Sequence, residues 1–260
     1  MIPLLALLLA AATPTLDQLE QQSQEARLLL GKHNYAAAAD EAKRLHMVAV
    51  DELKHRPLDQ EPRLPLALGA AIEVEAQAMS AQGSRADAVN YLRAELKTYY
   101  ATSIRARIQK NINLLSLEGK PAPALTMTPL LGPKAPDRQG KPTLLFFWAH
   151  WCSDCRNDAP VIARLQQQFP ALAIIGPTQH YGYIEGGADA TAAQETAYIE
   201  RVRKQLFSTF PVPVNEENFK NYGASTTPTL VLIDKRGIVR LYHPGAMSYD
   251  ELSSRIKPLI

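Results

Sequence analysis

Both cysteines of the 260-residue chain lie in one short segment, Trp151-Cys152-Ser153-Asp154-Cys155. Only two residues separate them, so a single stretch of backbone must place both thiols. There is no third thiol to form another bridge or to complete a second metal pair. The residues on either side say what holds the pair. Upstream, Thr143-Leu144-Leu145-Phe146-Phe147-Trp148-Ala149 is a continuous apolar run entered through Gly140-Lys141-Pro142. An unbroken apolar run of this length reads as a strand covered on both faces. Downstream, Ala159 to Phe169 has helical periodicity and stops before Pro170.

The pair therefore belongs at a strand-to-helix turn, with Cys152 at or beside the helix N-terminus. Unpaired backbone N–H groups and the positive end of the helix dipole favour an anion there. A thiolate is such an anion, so its pKa is expected below the free value of roughly 8.5. Cys152 is then the nucleophile. Cys155, one turn further in and expected to be more buried, is the resolving thiol. A zinc site needs further ligands, commonly a second C-x-x-C or an H-x(3–5)-H pair. The six histidines (33, 46, 55, 150, 180, 243) contain no such pair, so no metal is expected. An inert structural disulfide closing so short a loop would gain little from constraining the unfolded chain. Redox cycling is the reading that remains, and it needs no cofactor beyond the two thiols.

The residues around the pair resemble a known family. Phe147-Trp148-Ala149-His150-Trp151-Cys152-Ser153-Asp154-Cys155 is similar to the thioredoxin active-site signature, and Pro160 falls where that family's active-site helix carries a proline. Thr226-Thr227-Pro228-Thr229, followed by Leu230 to Asp234 and the turn Lys235-Arg236-Gly237, resembles the family's cis-proline loop. Pro121-Ala122-Pro123-Ala124-Leu125-Thr126-Met127 and the acidic Asp158 are similar to the extracytoplasmic TlpA/ResA-like branch of thiol–disulfide oxidoreductases. The resemblance covers about residues 119–260. It implies an α/β thioredoxin fold, a central mixed sheet flanked by helices. It also implies a redox disulfide between Cys152 and Cys155, protein thiols and disulfides as substrates, a membrane electron donor and a link to cytochrome c maturation.

Three residues are expected to meet a polypeptide substrate: Trp151, Thr227 and Pro228. A cis X–Pro bond costs only about 0.5–1 kcal/mol. The turn it fixes would present the Thr227 backbone to an extended peptide for strand-like hydrogen bonding. Two departures from thioredoxins proper bear on mechanism. Where those carry a buried Asp in the central strand, this chain has Phe146. Asp158 lies three residues beyond Cys155, on the same helical face, and is the candidate to accept the resolving thiol's proton. The plain alternative for Asp158 is a solvated residue favoured by the helix dipole. The second departure is Ser153-Asp154 between the cysteines. Its negative charge works against the thiolate, which predicts a reducing couple instead of a strong oxidant. An oxidase or isomerase would use the same residues. A separate possibility is a binding protein in which the redox pair acts as a latch.

Residues 1–12 read as a signal peptide. Leu4 to Ala12 is apolar, Ala10 and Ala12 form an A-x-A cleavage pattern, and the stretch is shorter than the roughly 20 residues a bilayer requires. Residues 1–3 carry no Lys or Arg, which departs from the usual pattern. Export to the periplasm or beyond is expected, with membrane association if the segment stays uncleaved. Residues 15–118 read as an all-α helical-hairpin domain. Leu16–Leu30 and Ala36–Leu53 form one pair, Leu66–Ala81 and Arg85–Tyr99 another, with Pro57 to Pro65 as the loop between them and Ile104–Leu117 as a last helix. The turns at Gly31 and Gly83 resemble those of tetratricopeptide hairpins, without that family's roughly 34-residue period. A partner docked on this domain is the functional expectation. Residues 119–136 are a proline-rich linker and lead-in segment, and 137–260 the thioredoxin-like domain. In the latter, Ala171–Ile175 and Ile238–Tyr242 are further strands, Thr191–Phe207 and Ser248–Ile256 are helices, and His180 to Gly187 is a mobile-looking insertion. A net charge of +2 with scattered Lys and Arg argues against nucleic acid as a partner.

Overall fold

The computed structural model describes residues 16–260, so the expected signal peptide lies outside the described residues. The chain divides into two compact units between Ser84 and Arg85.

The first unit holds helices α1 (Leu16–Gly31), α2 (Tyr35–Glu52) and α3 (Arg63–Ala81). Leu19, Leu45, Leu64, Leu68 and Ile72 are buried in this unit, and one cluster of its core is built from small side chains, Ala26, Ala38, Ala39, Ala42 and Ala78 with Val74. Alanine at these positions lets helices approach closely, with little side-chain entropy lost. The α1–α2 turn is closed by His33 at φ 59° and by the Asn34 N–H donating to Leu29 O. The loop expected up to Pro65 ends earlier. Leu58–Gln60 forms a short 3-10 turn, and Pro65 lies inside the first turn of α3. Proline is tolerated there because first-turn N–H groups have no intrahelical acceptor.

The second unit opens with α4 (Arg85–Thr98) and α5 (Arg105–Ser116), which fall in the same compact unit as the sheet. The sheet strands are β2 (Thr143–Phe147), β3 (Ala173–Ile175), β5 (Thr229–Ile233) and β6 (Val239–Pro244), in the spatial order β3-β2-β5-β6. The β2–β3 pair is parallel, while β2–β5 and β5–β6 are antiparallel. A small second sheet pairs β1 (Leu130–Leu131) with β4 (Val212–Pro213). The helices are α6 (Ser153–Gln168), α7 (Ala192–Leu206), α8 (Glu216–Tyr222) and α9 (Tyr249–Ile256). This is the thioredoxin-like architecture.

Strand alternation explains why the central strand is apolar from Leu144 to Phe147. Leu144 and Phe146 enter one core with Ile162, Ile199 and Leu252, whereas Leu145 and Phe147 enter the other with Phe219 and Tyr222. Both faces of β2 are covered, so neither set of side chains can be polar. Thr191 and Ser248 cap α7 and α9, each through a reciprocal capping box. Helix α5 is tied to α8 by Asn113 Nδ2, which donates to Tyr222 O at 2.8 Å, and by the Arg105–Glu217 ion pair at 3.2 Å. Helix α8 and the β1–β4 pair have no counterpart in the sequence reading. They are seven and two residues per element, too short for periodicity to register.

Candidate active site

Helix α6 begins where the apolar strand run ends, and Cys152 is its N-cap. The Cys152 sulfur accepts the backbone N–H of Cys155 at 3.0 Å, satisfying one of the donors a helix start leaves open. The two residues are joined by a disulfide, with their Cα atoms 5.3 Å apart. The expected contrast in burial between them is slight in this oxidised state, since Cys152 is 3% exposed and Cys155 1%. Both cysteines lie in the core cluster with Trp148 and with Ala159 and Ile162 of α6, whereas Trp151 beside them is half-exposed at 49%.

The loop leading to Cys152 is tied down at several points. Trp148 Nε1 donates to Gly176 O at 2.9 Å, and Thr178 Oγ1 donates to Trp148 O at 2.8 Å. The Cys152 N–H reaches Ala149 O, and Arg156 Nη2 donates to His150 O at 2.8 Å. Pro160 sits inside α6, as the resemblance implied.

Asp158 is buried on α6, one turn beyond Cys155, and is not the solvated side chain of the plain alternative. Burial, helped by the nearby negative charge of Asp154, raises its carboxyl to about 6. A carboxyl with that value exchanges protons readily near neutral pH. Phe146, at the strand position where thioredoxins carry an acid, is fully buried and meets the Phe207 ring edge-on at 5.4 Å.

The Thr227–Pro228 peptide is cis. Register places it: Phe147 lies opposite Thr229, so the cis turn stands beside the end of β2 from which the cysteine loop departs. The Pro228 carbonyl accepts the Gly245 N–H, and Thr229 Oγ1 donates to Thr226 O. The Thr227 hydroxyl oxygen is buried without a hydrogen-bond partner. Close to this turn, a cavity of about 550 Å³ is lined by residues including Tyr100, Arg105, Gln179, Phe219 and Ser225. Among the described residues, no cluster of three His, Cys, Asp or Glu is placed to hold a metal.

The chain matches a family described as a thioredoxin-like domain over residues 134–259. It is 31% identical over 148 residues to the thiol-disulfide oxidoreductase ResA of Bacillus thuringiensis, which covers 54% of this chain and 78% of the relative. The chain belongs to the thioredoxin-like thiol–disulfide oxidoreductases. Other relatives agree. The thioredoxin-like protein YneN of Bacillus subtilis is 27% identical, over 54% of this chain and 78% of its own. The thiol:disulfide interchange protein DsbE of Xylella fastidiosa is 28% identical, over 56% of this chain and 70% of its own. The matched family region contains the Cys152–Cys155 pair, and the helices of the first unit lie outside it.

One group of site residues was not foreseen. The segment expected as a mobile insertion is held in place: Tyr181 and Gly182 donate their backbone N–H groups to Glu195, at 2.6 and 2.9 Å. Ala190 N–H returns to Gly182 O, and Ile184 N–H reaches Ala188 O. Glu195 is fully buried on the first turn of α7 and also accepts from His150 Nε2 at 3.0 Å. His150 belonged to the quoted signature, but nothing in the sequence links it to a glutamate 45 residues away.

Proposed function

We propose that this protein is an extracytoplasmic reductase of protein disulfides, with Cys152 as nucleophile, Cys155 as resolving thiol and Asp158 as proton acceptor. The observation that carries this reading is the Cys155 N–H directed at the Cys152 sulfur at the helix start. The same geometry stabilises a thiolate once the disulfide is opened. In the reduced protein, the Cys152 thiolate attacks one sulfur of a substrate disulfide. A mixed disulfide forms and one substrate thiolate leaves. Cys155 then gives its proton to the Asp158 carboxylate and attacks the Cys152 sulfur. That step releases the second substrate thiol and closes the Cys152–Cys155 disulfide. Two electrons pass to the substrate, and a reduced dithiol on a membrane electron donor must return them.

The reducing direction rests on charge. Asp154, in the first turn of α6, opposes the thiolate and leaves the dithiol less favoured, which lowers the potential. Trp151, Thr227 and Pro228 are the substrate-facing residues of this reading, with the cis turn offering an edge to an extended chain. The helical region expected over 15–118 divides in this reading: α1–α3 serve as an accessory helical unit and docking platform, whereas α4 and α5, packed in one unit with the sheet, belong with the redox domain expected at 137–260 and its lead-in 119–136. Export rests on the apolar stretch Leu4 to Ala12. No described helix is long and apolar enough to cross a membrane.

The deciding measurement is the potential of the Cys152/Cys155 couple in a defined dithiol buffer, together with insulin reduction. A value close to about −120 mV, the strongly oxidising end of the range, overturns the reductase reading. Fractionation of cells for the mature chain tests export separately.

A further inference from the structure

Around His150 the structure contains machinery that the exchange reaction does not use. Glu195 Oε1 takes both the His150 Nε2–H at 3.0 Å and the Tyr181 N–H at 2.6 Å, while Oε2 takes the Gly182 N–H at 2.9 Å. One carboxylate thus joins the active-site loop, the tyrosine segment and helix α7. The His150 ring is enclosed by Tyr181, Tyr183 and Tyr198, each edge-on at 5.2–5.6 Å. Tyr181 in turn meets the Trp151 ring edge-on at 5.4 Å. Trp151 keeps half its surface open, and it directly precedes Cys152.

Stability alone is a poor reason for this arrangement. Burying a carboxylate and an imidazole costs desolvation, and apolar side chains of similar volume commonly do as well or better. A fully satisfied buried polar network does specify one geometry. Here that geometry fixes where Tyr181 stands relative to Trp151, next to the attacking sulfur.

We infer that Glu195 and His150 are positioning residues that hold Trp151 and Tyr181 as an aromatic wall, and that this wall takes the aromatic or large apolar side chain next to the cysteine in a polypeptide substrate. The inference deepens the substrate class of the proposed exchange reaction and rests on polypeptides being its substrates. A ring seated there makes edge or offset contacts with two aromatics at once. A small-molecule disulfide, having no flanking side chain, gains nothing from the wall.

The test uses the full chain carrying Cys155→Ser, so that the first exchange is trapped. Two pentapeptides are offered separately, each with its cysteine activated as a disulfide to 2-nitro-5-thiobenzoate. One has Phe beside the cysteine and the other Ala. The Cys152 thiolate breaks the probe's S–S bond, forms a new one to the peptide and releases the coloured thiolate, whose appearance gives the rate. The Phe peptide is expected to react about tenfold faster than the Ala peptide, the scale of one or two aromatic contacts. Adding Tyr181→Ala should bring that ratio close to one, while Tyr181→Phe preserves it. Glu195→Ala should lower the ratio, with Glu195→Gln restoring part of it because an acceptor for the backbone N–H groups remains. A ratio near one with Cys155→Ser alone overturns the inference. So does a Tyr181→Ala variant that slows both peptides equally, since the cluster would then merely support the cysteine loop. The reductase reading fails separately, by absence of insulin reduction or by an oxidising potential, and neither result alters the peptide ratio.

Discussion

The Cys155 backbone N–H points at the Cys152 sulfur across 3.0 Å, in the first turn of a helix whose N-cap is Cys152 itself. The proposed exchange requires the same N–H to stabilise Cys152 as a thiolate in the reduced protein. Iodoacetamide alkylation across pH is expected to give a midpoint for Cys152 at least about one unit below the free value of roughly 8.5. A midpoint at or above that value contradicts the assignment. Cys152→Ser should abolish exchange, and Cys155→Ser should accumulate mixed disulfide.

Burial of Asp158, with Asp154 nearby, sets a pH dependence whose sign follows directly. Its carboxyl titrates at about 6 in the folded protein, against an ordinary value of 3.8. Between these values the folded chain holds a proton that the unfolded chain has released, so this residue's contribution to stability falls as pH rises through the window. The full effect is at most about 3 kcal/mol. His150 acts in the opposite sense, because burial lowers its pKa despite the Glu195 carboxylate. Comparison with Asp158→Asn isolates the aspartate: denaturant melts of the oxidised proteins at about pH 4 and pH 7 should show the wild type losing more stability than the variant. The same variant should reduce insulin more slowly, by on the order of tenfold or more, if Asp158 accepts the Cys155 proton.

Gly223 ends α8 in the left-handed region at φ 61°, and a Cβ there would lie 2.6 Å from the carbonyl carbon of Gln109 on α5. Only glycine permits both the turn and the close approach of α5. Gly223→Ala is expected to cost more than about 3 kcal/mol, through strain and loss of the α5 seat. Thermal unfolding measures it, and an unchanged melting temperature would contradict the close approach.

Phe146 is fully buried against Phe207, at the strand position where thioredoxins place an acid. Phe146→Ala should destabilise by about 3–5 kcal/mol, through lost burial and the cavity left behind. Its exchange chemistry should survive at temperatures where the variant remains folded. Loss of Cys152 reactivity in a folded Phe146→Ala protein would give this position a chemical role.

The redox half of the molecule was legible in sequence because its signals are local. An apolar run, a C-x-x-C pair and a helical period follow one another without a break, so strand, N-cap and helix could be placed from residues alone. The cis turn at Thr227–Pro228 was legible through resemblance, and strand register then set it beside the cysteine loop. The short elements were not legible. Helix α8 has seven residues and β1 and β4 have two each, so tertiary packing alone makes them regular.

Sequence by itself determined the reactive pair, its place at a helix start and the strand that carries it, since each depends on contacts within a few residues along the chain. Only the tertiary structure decided what surrounds that pair. The burial that brings Asp158 to about 6, and the fully buried Glu195 that joins His150 to the tyrosine segment, are products of solvent exclusion and of distance in space. Neither quantity is written in local sequence. A glutamate in a helical pattern reads as surface until the fold brings an imidazole and two backbone N–H groups to its oxygens.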